Sequence, residues 1–281
     1  MQRTLARTEG KAERTVERPW VKALFRLGMV AKAVLYAVIG VLAIGVALDI
    51  GGRTTDAAGA LETLADEPFG TALLVVLAVG LLGYAAWRLA QALIDIDDKG
   101  ADAKAIVARA GYFVSGAIHL ALMALAIRLL VDSKGASGSG GSAGSGGGQE
   151  AETTAGVLDW PGGRAIVIAA AVVIIGVGVY NVVEGVTKRF MERMSVSGRA
   201  REIVENVALV GLVARGAVFG LIGWFLMKAA IEYDPNEAVG LDGALGRLAN
   251  QPYGQALLAA AAAGLVAYAF YCVAQARYRQ I

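Results

Sequence analysis

The feature that most constrains this chain is a unit that recurs three times. Each copy joins an apolar stretch of helix length, a polar loop, and a second apolar stretch that follows a proline. The first copy carries Gly28, Lys32, Tyr36 and Gly40, then Gly59-Ala60-Leu61, Leu64-Ala65, Pro68-Phe69-Gly70, Gly80 and Tyr84. The third carries Gly211, Arg215, Phe219 and Gly223, then Gly243-Ala244-Leu245, Leu248-Ala249, Pro252-Tyr253-Gly254, Gly264 and Tyr268. The middle copy is degraded to Gly111, Ser115, His119, Trp160-Pro161-Gly162-Gly163, Gly176 and Tyr180. A repeat of this length sets the architecture before any single residue is weighed.

Hydrophobic residues make up 57% of the 281, charged residues 18%, and the mean hydropathy is +0.57. Soluble domains carry about 25% charge, and here the apolar excess is gathered into long runs. Six runs, 27–48, 70–94, 106–131, 165–186, 207–231 and 254–274, reach the roughly 20 residues that a spanning helix needs. Helices are expected throughout, because an open sheet edge has no partners in lipid. Six such runs in one chain exclude a set of buried soluble-core helices.

Charge placement orients the chain. Arg3, Arg7, Lys11, Arg14, Arg18, Lys22 and Arg26 precede the first run. Lys188, Arg189, Arg193, Arg199 and Arg201 lie between the fourth and fifth, and Arg277 and Arg279 follow the sixth. The opposite loops hold mainly Arg53, Lys134 and Arg247 among many acids. The positive-inside rule then places both termini in the cytoplasm, and the Ala, Gly, Val and Leu composition reads as a bacterial inner (plasma) membrane. The first apolar run is too long for the core of a cleaved signal peptide. Cys272 stands alone, so no disulfide framework or cysteine-based metal cluster is expected.

Four segments are expected: a basic cytoplasmic stretch over 1–20, then repeats over 21–98, 99–194 and 195–281. As a helix, the basic stretch shows a cationic stripe of Arg3, Arg7, Lys11, Arg14 and Arg18, suited to anionic lipids. As a coil it only sets orientation. The Gly/Ser segment 135–148 reads as a flexible coil that displaces the Gly-Ala-Leu helix of the other two loops, so no chemistry is expected there. Asp56 is expected to cap a short helix over 57–65, and Asp242 one over 243–249. Pro68 and Pro252 are expected in the first turn of the helices that follow.

These motifs resemble the bacterial DUF1206 family. The resemblance is carried by Gly-Xaa3-Lys/Arg-Xaa3-aromatic in the odd runs and by Gly-Ala-Leu-Xaa2-Leu-Ala-Xaa2-Pro-Xaa-Gly before the even runs. It covers nearly the whole chain beyond the basic stretch, and Ser115 and His119 depart from it. It implies an integral membrane protein with three copies of a two-helix domain, and it brings no catalytic residues.

Three parallel hairpins are expected around a pseudo-threefold axis along the membrane normal, an all-α bundle of six spans. Residues four apart share a helix face, which gathers a candidate axial polar site of Lys32, Tyr36, Tyr84, Ser115, His119, Tyr180, Asn181, Glu184, Arg215 and Tyr268. The same glycine-rich faces also read as helix-contact stripes. Arg215, about 12 Å into its run, needs a polar partner, for which Glu184 and then Glu205 are the acids at hand. Lys32 is read as snorkelling to the headgroups. His119 reads as a proton relay or as one interhelical hydrogen bond, for example to Tyr180. Asn181 and Glu184 read as an ion-binding corner or a polar helix contact. Trp20, Trp87 and Trp160 are expected as interfacial anchors, and Trp224 as packed between helices.

No metalloprotease histidine pair, nucleophile elbow or phosphate loop is present. Neither catalysis nor a cofactor or metal is expected, and membrane orientation accounts for the basic residues without nucleic acid. Two functions fit: a small conduit or carrier for ions, anions or lipids, or a non-catalytic scaffold or partner subunit for other membrane proteins.

Overall fold

The structure, a computed structural model, describes residues 19–94, 102–134 and 148–280. The basic stretch 1–18 and the Gly/Ser segment 135–147 lie outside the described residues. Among those described, the regular elements are helices and no strand is present. Six helices are long and apolar enough to cross a membrane: α1 (Pro19–Ala47), α3 (Gly70–Leu93), α4 (Ala103–Lys134), α6 (Gly163–Thr187), α7 (Arg199–Glu232) and α9 (Gly254–Tyr278). Three short α-helices lie between them, α2 (Ala57–Ala65), α5 (Gly148–Leu158) and α8 (Leu241–Ala249), with two 3-10 helices at Arg189–Arg193 and Pro235–Glu237. Large apolar side chains such as Val114, Ile118, Val172 and Val179 are more than half exposed. Water would penalise that surface, whereas hydrocarbon does not.

One turn is built three times. Before α3, α6 and α9 the chain folds at Glu67-Pro68-Phe69-Gly70, Trp160-Pro161-Gly162-Gly163 and Gln251-Pro252-Tyr253-Gly254. In each, the last glycine N–H donates to the carbonyl of the residue before proline, at 2.7, 2.8 and 2.7 Å. A side chain on Gly70, Gly163 or Gly254 would strike the last carbonyls of the short helix before it, so the turn admits only glycine there. The prolines therefore stand two residues ahead of the spans rather than in their first turn.

The short helices follow their local sequence with two corrections. Asp56 caps α2 as expected, its Oδ1 accepting from the Gly59 N–H at 2.8 Å. Helix α8 starts at Leu241 after Gly240, so Asp242 sits inside its first turn. In the middle loop α5 forms where no helix was expected, because Gln149–Leu158 resumes helix-forming sequence directly after the Gly/Ser segment.

The chain divides into two compact units. The first comprises Met1–Lys32, Leu61–Ser137 and Cys272–Ile281, with α3 packed along α4. Its core joins Phe25, Met29, Tyr84, Trp87 and Ala276, and Phe25 meets Trp87 edge-on at 5.3 Å. Trp87 is thus a core residue, not an interfacial anchor. The second unit comprises Ala33–Ala60 and Gly138–Tyr271, with α6 packed along α7. There Gly178 and Gly216 face each other, each glycine leaving room only for the other's carbonyl, a small-residue contact of the kind that holds helices together in lipid. Trp160 is exposed at a span end as expected. Trp224 is also exposed, at 62%, and so turns outward instead of packing between helices. The third and fourth spans, which form the middle sequence repeat, fall in different units.

Candidate functional site

Eight of the ten candidate polar residues form two clusters, one in each unit. In the first unit, α1 supplies Lys32, α3 supplies Tyr84 and α4 supplies His119. Gly28, one turn before Lys32, leaves no room for a Cβ, which would lie 2.8 Å from the Cβ of Tyr84. That close approach lets Lys32 reach Tyr84. The Lys32 Nζ donates to the Tyr84 hydroxyl at 3.3 Å and lies 4.9 Å from the ring centre. Lys32 is only 8% exposed, so it does not snorkel; the sequence reading is corrected by this inward contact.

A second cation shares the same oxygen. Arg88, one turn after Tyr84, donates from Nε to that hydroxyl at 2.8 Å and from Nη1 to Gln91 Oε1 at 3.0 Å. Its guanidinium also covers the rings of Tyr84 and Tyr112, at 5.1 and 5.0 Å. Arg88, Gln91 and Tyr112 were not singled out from sequence. Arg88 lies near the end of an apolar run, where a charge reads as a flank, and its four-residue spacing from Tyr84 was the available signal.

His119 packs its ring on Tyr84 at 4.3 Å. Its Nδ1 lies 2.7 Å from the backbone carbonyl of Ser115, which can only accept, so Nδ1 carries a proton. Ser115 contributes this carbonyl.

In the second unit, Arg215 lies halfway along α7. It donates from Nε to the Tyr36 hydroxyl at 3.1 Å and from Nη1 to Asn181 Oδ1 at 2.7 Å. Asn181, not Glu184, meets it, and Glu205 is held by Lys188 at 2.6 Å and Arg201 at 2.8 Å. The guanidinium lies 4.5 Å from the Phe219 ring centre, 4.9 Å from Tyr268 and 5.8 Å from Tyr36. Tyr36 and Tyr268 themselves meet edge-on at 4.7 Å. Three aromatic faces solvate a cation that hydrocarbon would not. Gly211 repeats the role of Gly28: a Cβ there would lie 2.5 Å from the Tyr268 backbone nitrogen.

The first and third repeats therefore share one construction, in which a glycine on the odd span admits the tyrosine-bearing even span and places a cation against that tyrosine. In the middle repeat Gly111 has open space around it and Tyr180 is 57% exposed. Two further arginines close helix ends. Arg109 donates to the Ala92 and Leu93 carbonyls at the end of α3, at 2.8 and 3.2 Å. Arg164 donates to the Ile231 carbonyl near the end of α7 at 3.2 Å.

Six helices long and apolar enough to cross a membrane define a multi-pass helical membrane protein, with two cation–tyrosine clusters among them. The chain belongs to the family described as Domain of Unknown Function (DUF1206), whose model matches residues 27–95, 110–188 and 210–279. It is 32% identical over 267 residues to "Uncharacterized protein YxxB" of Bacillus subtilis (strain 168), covering 94% of this chain and 93% of that protein. No solved structure matches the chain.

Proposed function

We propose that this membrane protein is a carrier or conduit for anions, including the phosphate of anionic lipids, and is not an enzyme. The observation that carries the reading is the convergence of Lys32 and Arg88 on the Tyr84 hydroxyl. A phenol oxygen orients two cations without cancelling their charge. Like charges brought together in an apolar span repel and lose hydration, and a bound anion offsets both costs. Lysine and arginine together make a donor set suited to a phosphate or carboxylate.

The placement of basic residues in the sequence supports a topology with both termini in the cytoplasm of a bacterial inner membrane. Three hairpins inserted in one sense are most simply related by a pseudo-threefold axis. The stretch containing Arg3, Arg7, Lys11, Arg14 and Arg18 is proposed to contact anionic lipids.

A second reading, a scaffold or partner subunit, is favoured by Arg215. Its cage of Tyr36, Asn181, Phe219 and Tyr268 is built from the chain's own side chains, as a purely structural cation requires. Flux assays in liposomes with a panel of anions separate the two. A carrier or conduit gives saturable anion movement that Lys32→Gln and Arg88→Gln each reduce by about tenfold or more. Movement no greater than in empty liposomes, from protein of normal yield and folding, favours the scaffold.

A further inference from the structure

The second unit holds a cavity of about 370 Å³ lined by α5, α6, α7 and the segment before α8. This size falls in the range of about 300–1,000 Å³ typical of small-molecule sites. Its walls are apolar, formed by Ile174 of α6, Ile222 and Leu226 of α7, and Val239. One end is polar, with Glu150 and Thr154 of α5. The Glu150 carboxyl rests against Gly240, in the space that a side chain at 240 would fill. Its Oε2 is buried and accepts no hydrogen bond.

A carboxylate oxygen withdrawn from water needs a donor. The basic side chains of the neighbouring elements are engaged elsewhere: Lys228 binds Glu237 at 2.9 Å, and Arg247 binds the same carboxylate. Asp242 and Asp56 add negative potential at Glu150, and burial together with these two acids raises its pKa. Among the described residues no group of three or more His, Cys, Asp or Glu is placed to hold a metal ion. A donor with an apolar body, rather than a bare cation, matches a site with one acidic end and aliphatic walls.

The geometry points to a binding site for an amphiphilic ammonium compound, with the ammonium at Glu150 and the hydrocarbon between Ile174, Ile222, Leu226 and Val239. The ammonium group belongs either to a lipid headgroup or to a soluble alkylamine. The site shares no residue with the cation–tyrosine clusters, and its fate is independent of anion transport.

Calorimetric titration of the full chain in phosphatidylglycerol nanodiscs with hexylammonium chloride tests the assignment, with empty discs subtracted and hexanol as the uncharged control. The expected result is saturable hexylammonium binding that is about tenfold or more weaker in Glu150→Gln, and hexanol binding weaker by a similar factor. Ile222→Trp, which fills the cavity and leaves the carboxylate in place, weakens binding as well and decides the question if Glu150→Gln does not fold. Phosphatidylethanolamine in the discs displaces hexylammonium if the natural ligand is a lipid headgroup. Undiminished binding in its presence, still dependent on Glu150, assigns a soluble amine. Equal binding of hexanol, unchanged binding in the folded variants, or no saturable signal overturns the proposal.

Discussion

Asn181 holds its amide oxygen 2.7 Å from the Arg215 guanidinium, so a neutral side chain positions the most central cation of α7. Removing that acceptor leaves a charged donor short of one bond where water does not reach freely. Asn181→Ala is expected to cost about 1.5–3 kcal/mol, the range for hydrogen bonds to charged groups. Asn181→Asp keeps the acceptor for Arg215 but sets a carboxylate oxygen against the Val177 carbonyl, to which the Asn181 amide donates at 2.6 Å, so its stability is expected to fall between those of the parent and Asn181→Ala. Reversible unfolding in mixed detergent micelles, run on the parent and both variants, measures the order.

Lys32 and Arg88 share one oxygen, which makes Tyr84→Phe informative in a different way. The substitution keeps the ring and deletes an acceptor that the two cations share, at an expected cost of about 1–3 kcal/mol. Adding Arg88→Gln to Tyr84→Phe removes one of those charges and is expected to recover part of the loss. A double-mutant cycle on the unfolding midpoint reads this coupling. Additive losses would show that the hydroxyl does not link the two cations.

The spans were legible from run length alone, because lipid lets hydrophobicity act without competition from a soluble core. Lys32, Tyr36, Tyr84, Arg215 and Tyr268 were legible as the cations and tyrosines of a repeated motif. Their partners were not. Position along a helix reports depth but not the direction a side chain faces, so Trp87 and Trp224 exchanged their expected roles. Pairing between elements is absent from a linear pattern. Nothing in the sequence placed His119 on Tyr84, or Asn181 rather than Glu184 on Arg215. The Gly/Ser segment masked α5, and with it Glu150, because its composition dominates the loop that contains them.

The degraded middle repeat predicts unequal tolerance of alanine at three equivalent glycines. A Cβ on Gly28 would lie 2.8 Å from the Tyr84 side chain, and one on Gly211 would lie 2.5 Å from the Tyr268 backbone. Either forces helices apart, at an overpacking cost of about 1–3 kcal/mol. Around Gly111 there is nothing within 4 Å. Gly111→Ala is therefore expected to be neutral or to stabilise by up to about 1 kcal/mol through helix propensity. Thermal midpoints of the three variants, compared in one detergent, test this directly, and equal losses at all three sites would refute the split.

Glu150 and Glu237 should impose opposite pH dependences on the polar end of the second unit. Burial, then repulsion from Asp242 and Asp56, raises the Glu150 pKa above its ordinary 4.5. The folded state then binds this proton more tightly than the unfolded chain does. Stability falls as pH rises from 4.5 through the raised value, and it levels off above that. Glu237 runs the other way, its pKa held below 4.5 by hydrogen bonds from Lys228 and Arg247. Its contribution is full above 4.5 and is lost as pH falls through the lowered value. Thermal midpoints of the parent, Glu150→Gln and Glu237→Gln across this range separate the two. Without an ammonium ligand, Glu150→Gln should abolish the decline above pH 4.5 and exceed the parent at neutral pH. Glu237→Gln should instead flatten the loss on the acid side while lowering stability at neutral pH.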